Sequence, residues 1–340
     1  MVRKISRLRR QPLFPLAVKK GSMLVIVLWS LCLLTTFAVI LGYGVRQKLS
    51  LTSRIDERDK LHFIFGITAE KAILELKNEP EKSYDAFNDS WSSNTSAFKD
   101  INIGDAVINI CHNYTNEPQG LVELRYGLID EERKININKA DLKSLELFFR
   151  VLLNYSENQA QELAASIVDW RDGDNELSIP LGSAEDSYYR DFAHPYEAKD
   201  ADFEVLEELL LVKGITEGNF QKIKDYLTVY GSGRININTV SKPVLLAFGL
   251  SDDMADKVLN FRAGEDGILG TDDDNLFDQT ANIVPRLSQF YNLSESEVAA
   301  LGILVNEYST VKSNIFMAKS TARLYGKNYT EELICVFDRK

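Results

Sequence analysis

Met23 to Val45 reads MLVIVLWSLCLLTTFAVILGYGV, 23 residues without a single charge. A helix rises ~1.5 Å per residue, so this stretch reaches roughly 30 Å or a little more, the thickness of a bilayer's hydrocarbon core. Ahead of it stand Arg3, Lys4, Arg7, Arg9, Arg10, Lys19 and Lys20, with no acidic residue among them. Such a basic flank stays cytoplasmic, which sends everything after Val45 across the membrane. A secretory signal has a shorter apolar region of ~7 to 15 residues followed by an A-x-A type cleavage site, and neither is present. The run is therefore expected to be a retained transmembrane helix over 22–45, behind a basic leader over 1–21.

Downstream, Leu61, Ile64, Phe65, Ala69, Ala72, Ile73 and Leu76 recur at steps of three and four, the period of an amphipathic helix. No Pro interrupts Ser22 to Asn78. The span and this helix form either one rod of ~80 Å or two helices kinked near Gly42 and Gly44. After Pro80 the chain turns to Ser, Asn and Asp, from Ser83 to Ser96, which predicts a loop.

The 340 residues allow about two domains at ~100 to 200 residues each. An apolar share of 45% excludes wholesale disorder. Lys and Arg number 39 against 50 Asp and Glu, a net charge of -11, and without the seven leader cations the balance is 32 against 50, or -18. An acidic bulk with a basic tip is a poor nucleic-acid binder, because phosphate binding is dominated by positive charge. Three Cys and three His exclude a multi-Cys zinc framework or a disulfide-stapled miniprotein.

Two stretches match about a hundred residues apart: Lys134-Ile135-Asn136-Ile137-Asn138-Lys139 and Arg234-Ile235-Asn236-Ile237-Asn238-Thr239. In each, alternating Ile and Asn suits a short extended lead-in, and the last Asn or its neighbour can cap the helix that follows. With the helix formers of Ala164 to Trp170 and Phe203 to Val212 between them, residues 133–300 are expected to be a mostly helical domain. Ile101 to Cys111, Leu121 to Ile129, Asn314 to Leu324 and Glu332 to Phe337 are rich in β-branched and apolar residues and predict strands. The economical account is an α+β unit, with helix, loop and first strands over 46–132 and last strands over 301–340, into which the helical domain is inserted.

Lys19-Lys20-Gly21-Ser22-Met23 resembles a type IV prepilin or pseudopilin leader, cut by a membrane peptidase between Gly21 and Ser22. Asp169-Trp170-Arg171-Asp172-Gly173-Asp174, Ala184-Glu185-Asp186-Ser187-Tyr188-Tyr189, the paired Asn-Ile-Asn segments and Glu207 to Gly214 together resemble the general secretion pathway protein K family, the large minor pseudopilins of bacterial type II secretion. The resemblance runs over most of the chain from Lys20 onward, residues 80–100 contributing nothing to it. It implies a pilin-like fold, a long amino-terminal helix packed on an antiparallel sheet, with the helical domain inserted. It also implies a single-pass protein of the bacterial inner membrane with a cytoplasmic amino terminus and a periplasmic bulk. Its role would be to cap and nucleate the pseudopilus tip for protein export, without catalysis. The partners implied are minor pseudopilins of the I and J types, the major pseudopilin and the prepilin peptidase, with the exoprotein or the outer-membrane secretin as further contacts. Most pilins carry Glu as the fifth mature residue, and here it is Ile26. A carboxylate without a partner in hydrocarbon costs several kcal/mol, so a subunit with no neighbour ahead of it is better without one.

Gly264 to Asn275 packs five carboxylates and three glycines into a short loop. Calcium takes six to eight oxygens at ~2.3 to 2.6 Å, and interleaved glycines let carboxylates converge, although EF-hand spacing is absent. Members of the family are expected to hold calcium in the helical domain. The candidate ligands are Asp266, Asp272 and Asp274, with Asp278 a supplement; the bland alternative is a solvated acidic turn. A second cluster, Asp169, Asp172, Asp174, Glu185 and Asp186, forms either another calcium site across a loop or ordinary caps and ion pairs. Cys111 and Cys335, each in an expected strand, are either a periplasmic disulfide or two separate thiols; Cys32 lies in the span.

The rival function is a membrane-anchored DNA receptor. Asn236 to Thr239, Gly249-Leu250 and Ala255 to Arg262 also resemble the helix-hairpin-helix of bacterial competence proteins, but the hairpin reads Gly249-Leu250-Ser251-Asp252-Asp253. Two carboxylates at a phosphate seat argue against nucleic acid. His62, His112 and His194 stand beside no nucleophile motif, which leaves an enzyme without support.

Overall fold

A computed structural model describes residues 20–80, 83–116, 120–180, 182–326 and 330–339. The leader expected over 1–21 lies outside them up to residue 19. Contacts divide the chain into one unit up to Lys60 and a second over Leu61–Lys340.

Helix α1 runs from Lys20 to Lys77 and stays helical through Gly42 and Gly44, so the helix is not interrupted there. In the first unit its apolar side chains are all exposed, Trp29 at 71% for example. Exposed apolar surface on this scale is what a lipid-facing helix presents. The Ser and Thr hydroxyls in the run bond within the helix: Ser30 Oγ donates to the Ile26 carbonyl at 2.8 Å, Thr35 Oγ1 to that of Leu31 at 3.0 Å and Thr36 Oγ1 to that of Cys32 at 2.8 Å. Each of these three hydroxyls thus enters the bilayer with its donor already paired.

The second unit opens with the last turns of α1, whose Leu61, Ile64, Phe65, Thr68, Ala72 and Leu76 are buried on one face. Elements then follow in order: α2 (Thr95–Phe98), β1 (Ile101–Ile103), β2 (Ala106–Ile110), β3 (His112–Asn116), β4 (Leu121–Arg125), β5 (Ile129–Asp130), β6 (Ile135–Asn136), α3 (Leu142–Leu153), α4 (Glu157–Arg171), α5 (Asp186–Tyr189), α6 (Glu217–Ile223), β7 (Leu227–Thr228), β8 (Ile235–Asn236), α7 (Lys242–Ala247), α8 (Asp252–Arg262), α9 (Ile283–Phe290), α10 (Glu295–Ile303), β9 (Ser309–Thr310), β10 (Ile315–Leu324) and β11 (Thr330–Asp338).

The main sheet is antiparallel in the order β1-β2-β10-β11, with β5 pairing the start of β10. Phe316, Ala318, Ser320, Ala322 and Leu324 alternate onto the buried face of β10, where with Ala106, Ile108 and Ile110 they share a core with Leu61, Phe65 and Leu76 of α1. Period two on the strand meets period 3.6 on the helix. This is the α+β arrangement the sequence predicts: a long helix on an antiparallel sheet.

The expected strand Leu121 to Ile129 is corrected. Leu121–Arg125 leaves the main sheet and forms a separate hairpin with His112–Asn116, and only Ile129 and Asp130 reach β10. The cause is Gly127. A Cβ there would lie 2.0 Å from the Ser92 carbonyl oxygen. The Gly127 N–H donates to the Ile110 carbonyl and the Leu128 N–H to the Trp91 carbonyl, so the backbone crosses under residues 91–92 instead of continuing a ladder. Likewise Ile101 to Cys111 is a hairpin, turned at Gly104, whose φ is 61°.

Between β5 and β10 lies the helical part, with its own core running from Ile135 to Val311. The two Asn-Ile-Asn segments play one role twice. Ile135 and Asn136 pair in parallel with Leu227 and Thr228, and Ile235 and Asn236 with Ser309 and Thr310. Asn138 exchanges two bonds with the Phe203 backbone, at 2.7 and 2.9 Å, and Asn238 exchanges two with the Phe277 backbone, both at 2.9 Å. Arg171 donates to the Ile137 and Ala140 carbonyls, while Arg262 donates to that of Val240 at 2.7 Å. Trp170 stacks on Phe203 as Phe261 stacks on Phe277.

Candidate functional site: two acidic loops at the end of matched helices

The duplication places the two acidic loops at corresponding points. One follows the Trp170-Arg171 end of α4 and precedes Phe203; the other follows the Phe261-Arg262 end of α8 and precedes Phe277. Their chemistry differs.

In the first loop, Asp172, Asp174 and Glu185 each offer an oxygen, and those oxygens lie within 4.8 Å of one another. Both carboxylate oxygens of Glu185 and Oδ1 of Asp172 are buried without a hydrogen-bond partner. Burial, and then the charges of Asp169 and Asp172, push Glu185 up to about 7. Asp172 is raised for the same reasons, burial first and then Asp174 and Asp169. Unpartnered carboxylate oxygens facing one another fit a hard cation such as calcium, whose ligands are oxygens. Asp169 and Asp186 are used otherwise. The buried Asp169 accepts from the Ser178 N–H at 3.1 Å, and Asp186 accepts from Arg190 Nη2 at 2.7 Å and the Ala198 N–H at 2.9 Å.

The second loop closes on its own donors. Asp273 accepts from Thr271 Oγ1 at 2.6 Å and from the N–H groups of Glu265 and Asp266, and these bonds hold it down at about 2, Thr271 contributing most. Gly264, at φ 62°, lets the Asp273 backbone approach. Asp274 accepts from the Gly270 N–H at 2.7 Å, Asp266 from the Ile268 N–H at 2.7 Å, and Asp278 from Asn282 Nδ2 at 3.1 Å, while Asp272 is exposed. Among the described residues these four carboxylates do not converge on one point.

Glu79, Asp85 and Asp89 form a third group that no sequence pattern singled out. Arg339 Nη2 meets Asp85 Oδ1 at 2.5 Å and Glu79 Oε2 at 3.4 Å, and the Ser313 N–H donates to Asp85 Oδ2 at 2.7 Å. Beside it, Asp130 Oδ2 accepts from Thr239 Oγ1 at 2.6 Å, Ser313 Oγ at 2.7 Å and Asn236 Nδ2 at 3.2 Å. Asn236 Nδ2 also reaches the Asp85 carbonyl at 3.0 Å. Together these groups fasten the second repeat to the sheet. Burial carries the Asp130 carboxyl up to about 7 against the pull of its hydroxyl donors.

The disulfide alternative is corrected: Cys111 and Cys335 are free thiols. The Cys111 N–H bonds the Lys319 carbonyl, while Cys335 pairs with Ala318, so β10 lies between them. Two strand spacings are ~10 Å, and side chains opposite consecutive residues of one strand point to opposite faces. At the hairpin of the second repeat, Lys242 pairs with Asp252 at 3.0 Å and Asp256 at 2.6 Å, and Lys257 with Asp253 at 2.7 Å and Glu297 at 2.5 Å. The cations nearest that turn are thus already neutralised. His62 and His194 are exposed on α1 and in the loop after α5, and His112 opens β3, in three unrelated surroundings.

An exposed apolar amino-terminal helix long enough to cross a membrane, an antiparallel sheet under its continuation and a helical insertion between the strands define a pilin-like fold. Residues 124–232 match the family model "Type II secretion system (T2SS), protein K". The type II secretion system protein K of Pseudomonas aeruginosa is 28% identical over 268 residues, 75% of either chain. A chain from the crystal structure of the GspK-GspI-GspJ complex of the enterotoxigenic Escherichia coli type 2 secretion system matches in fold, with a TM-score of 0.59 at 18% identity over 83% of this chain and 92% of that one. The chain is thus similar to type II secretion system K proteins, by the family model over residues 124–232 and by a relative over three quarters of its length.

Proposed function

We propose that this chain is the minor pseudopilin that caps and nucleates the pseudopilus tip, a mechanical and not a catalytic part. The observation that carries this is the insertion itself: roughly 170 residues of helical domain between two strands of a pilin-like sheet are hard to stack inside a helical filament, whereas an end position accommodates them. The absence of a carboxylate at Ile26 supports the same end position. The likeness to a complex with GspI and GspJ supports minor pseudopilins of those types as neighbours, with the major pseudopilin below. The exoprotein and the secretin are further contacts. The basic leader supports insertion in the inner membrane with a periplasmic head, after cleavage between Gly21 and Ser22.

Coexpression with a prepilin peptidase and mass spectrometry of the mature protein tests this. A chain beginning at Ser22 is expected; uncut protein would reduce the reading to a generic anchored domain.

Calcium belongs to this reading as a structural ion. Its seat is Asp172, Asp174 and Glu185, with Asp266, Asp272, Asp274 and Asp278 converging only if the second loop rearranges. A bound ion would offset the mutual repulsion of the first loop and add stability with occupancy.

A further inference from the structure

A cavity of opposite sign lies away from the acidic loops. It opens between the β3–β4 hairpin, the outer face of the main sheet and the Lys224–Tyr226 turn of the helical part, with a volume of about 560 Å³. Lys319 lines it from β10, Arg133 and Lys134 from the chain after β5, and Lys224 from the helical side. Lys134 is bound to Glu131 at 2.5 Å, whereas Arg133, Lys224 and Lys319 have no carboxylate partner among the described residues. Asp225 and Glu332 are the acidic residues of its wall, so cations outnumber anions here in a chain of net charge -11.

His112 also lines the cavity, and its Nδ1 is buried without a hydrogen-bond partner. Burial first, then Arg133, Arg125 and Lys319, bring this imidazole down to about 3. The ring is therefore neutral at physiological pH, and the charged groups that act on it are all positive.

We propose that this cavity binds an extended acidic segment of a partner polypeptide, with one carboxylate seated between Arg133 and Lys319 and a second toward Lys224. The volume suits several residues of chain, within the ~300 to 1,000 Å³ of ordinary binding pockets. Leu124 and Ile334 line it while staying 53% and 59% exposed, which provides apolar contact for the residues between the acids. A net charge of -11 over the whole chain disfavours such a segment elsewhere on average, so an excess of cations steers it here. The site depends neither on the membrane helix nor on the position in a fibre proposed above.

The test uses the full chain in detergent and two fluorescent octapeptides, one of alternating Asp and Thr, the other with Asn for Asp. At low salt the Asp peptide is expected to bind at least tenfold tighter by anisotropy, and the Lys224→Gln/Lys319→Gln double variant to lose that margin. Equal binding of the two peptides, or undiminished binding by a folded double variant, overturns the proposal. Inorganic phosphate competing as strongly as the Asp peptide would make this a small-anion pocket and overturn it too.

Discussion

At the scale of single residues, buried carboxyls make stability depend on pH. Asp130 has a folded pKa of about 7 against 3.8 for the free side chain. An acid raised in this way stabilises the fold while protonated: its contribution is whole below about pH 4 and lost as the pH rises through about 7. At ~1.4 kcal/mol per unit the loss is at most roughly 4 kcal/mol. With calcium held constant, the thermal midpoint should fall between pH 5 and 8.5, and Asp130→Asn should flatten much of that slope; an equally steep slope in the variant would refute the assignment. Glu185 gives the sharper experiment. Removing calcium from the native chain should lower the midpoint, while Glu185→Gln should make it insensitive to chelator and at least as stable as the stripped native protein. A chelator response undiminished in Glu185→Gln would move the ion elsewhere. The candidate carboxylates were visible in the sequence, yet their division of labour was not. Asp169 and Asp186 are claimed by N–H and guanidinium donors that the fold delivers from residues 178, 190 and 198. Asp130 was illegible altogether, because its donors come from residues 236, 239 and 313.

At the scale of elements, the helix face of α1 and the strands β10 and β11 were legible because a single local period decides which side is buried. The break in Leu121 to Ile129 was not, since it depends on a backbone contact with Ser92 from a different part of the chain. Gly127→Ala should therefore cost several kcal/mol, a backbone clash without a flexible neighbour to yield, and far more than Gly104→Ala, whose added methyl meets nothing within 4 Å and is strained only in φ. Comparable losses would remove the explanation given for the broken strand. The duplication was readable in Asn-Ile-Asn, and the matched aromatic-Arg pairs at the ends of α4 and α8 were the signal left unused. Asn138→Ala and Asn238→Ala should each cost about 2 to 4 kcal/mol, because each leaves backbone groups of Phe203 or Phe277 without partners. Chemical denaturation of the two variants gives the comparison, and a neutral effect at either would deny that the repeats share one device.

At the scale of the whole molecule, sheet and insertion have apolar cores of their own, joined by the polar fastening around Asp85, Asp130, Asn236 and Ser313 and by a small apolar cluster of Phe87, Tyr114, Ala263 and Leu269. The chain departs for the insertion right after β5 and returns right before β10, and those two strands are hydrogen-bonded neighbours, Phe316 opposite Asp130. Because exit and entrance touch, a short turn can replace the insertion, at the cost of the partners it gives Asp85 and Asp130. Splicing residue 130 to residue 314 through a short glycine-serine turn should leave a small domain that keeps its sheet signal in circular dichroism. Its head would then be no bulkier than that of an ordinary filament subunit, which turns a question about rank in the fibre into one that scissors can answer.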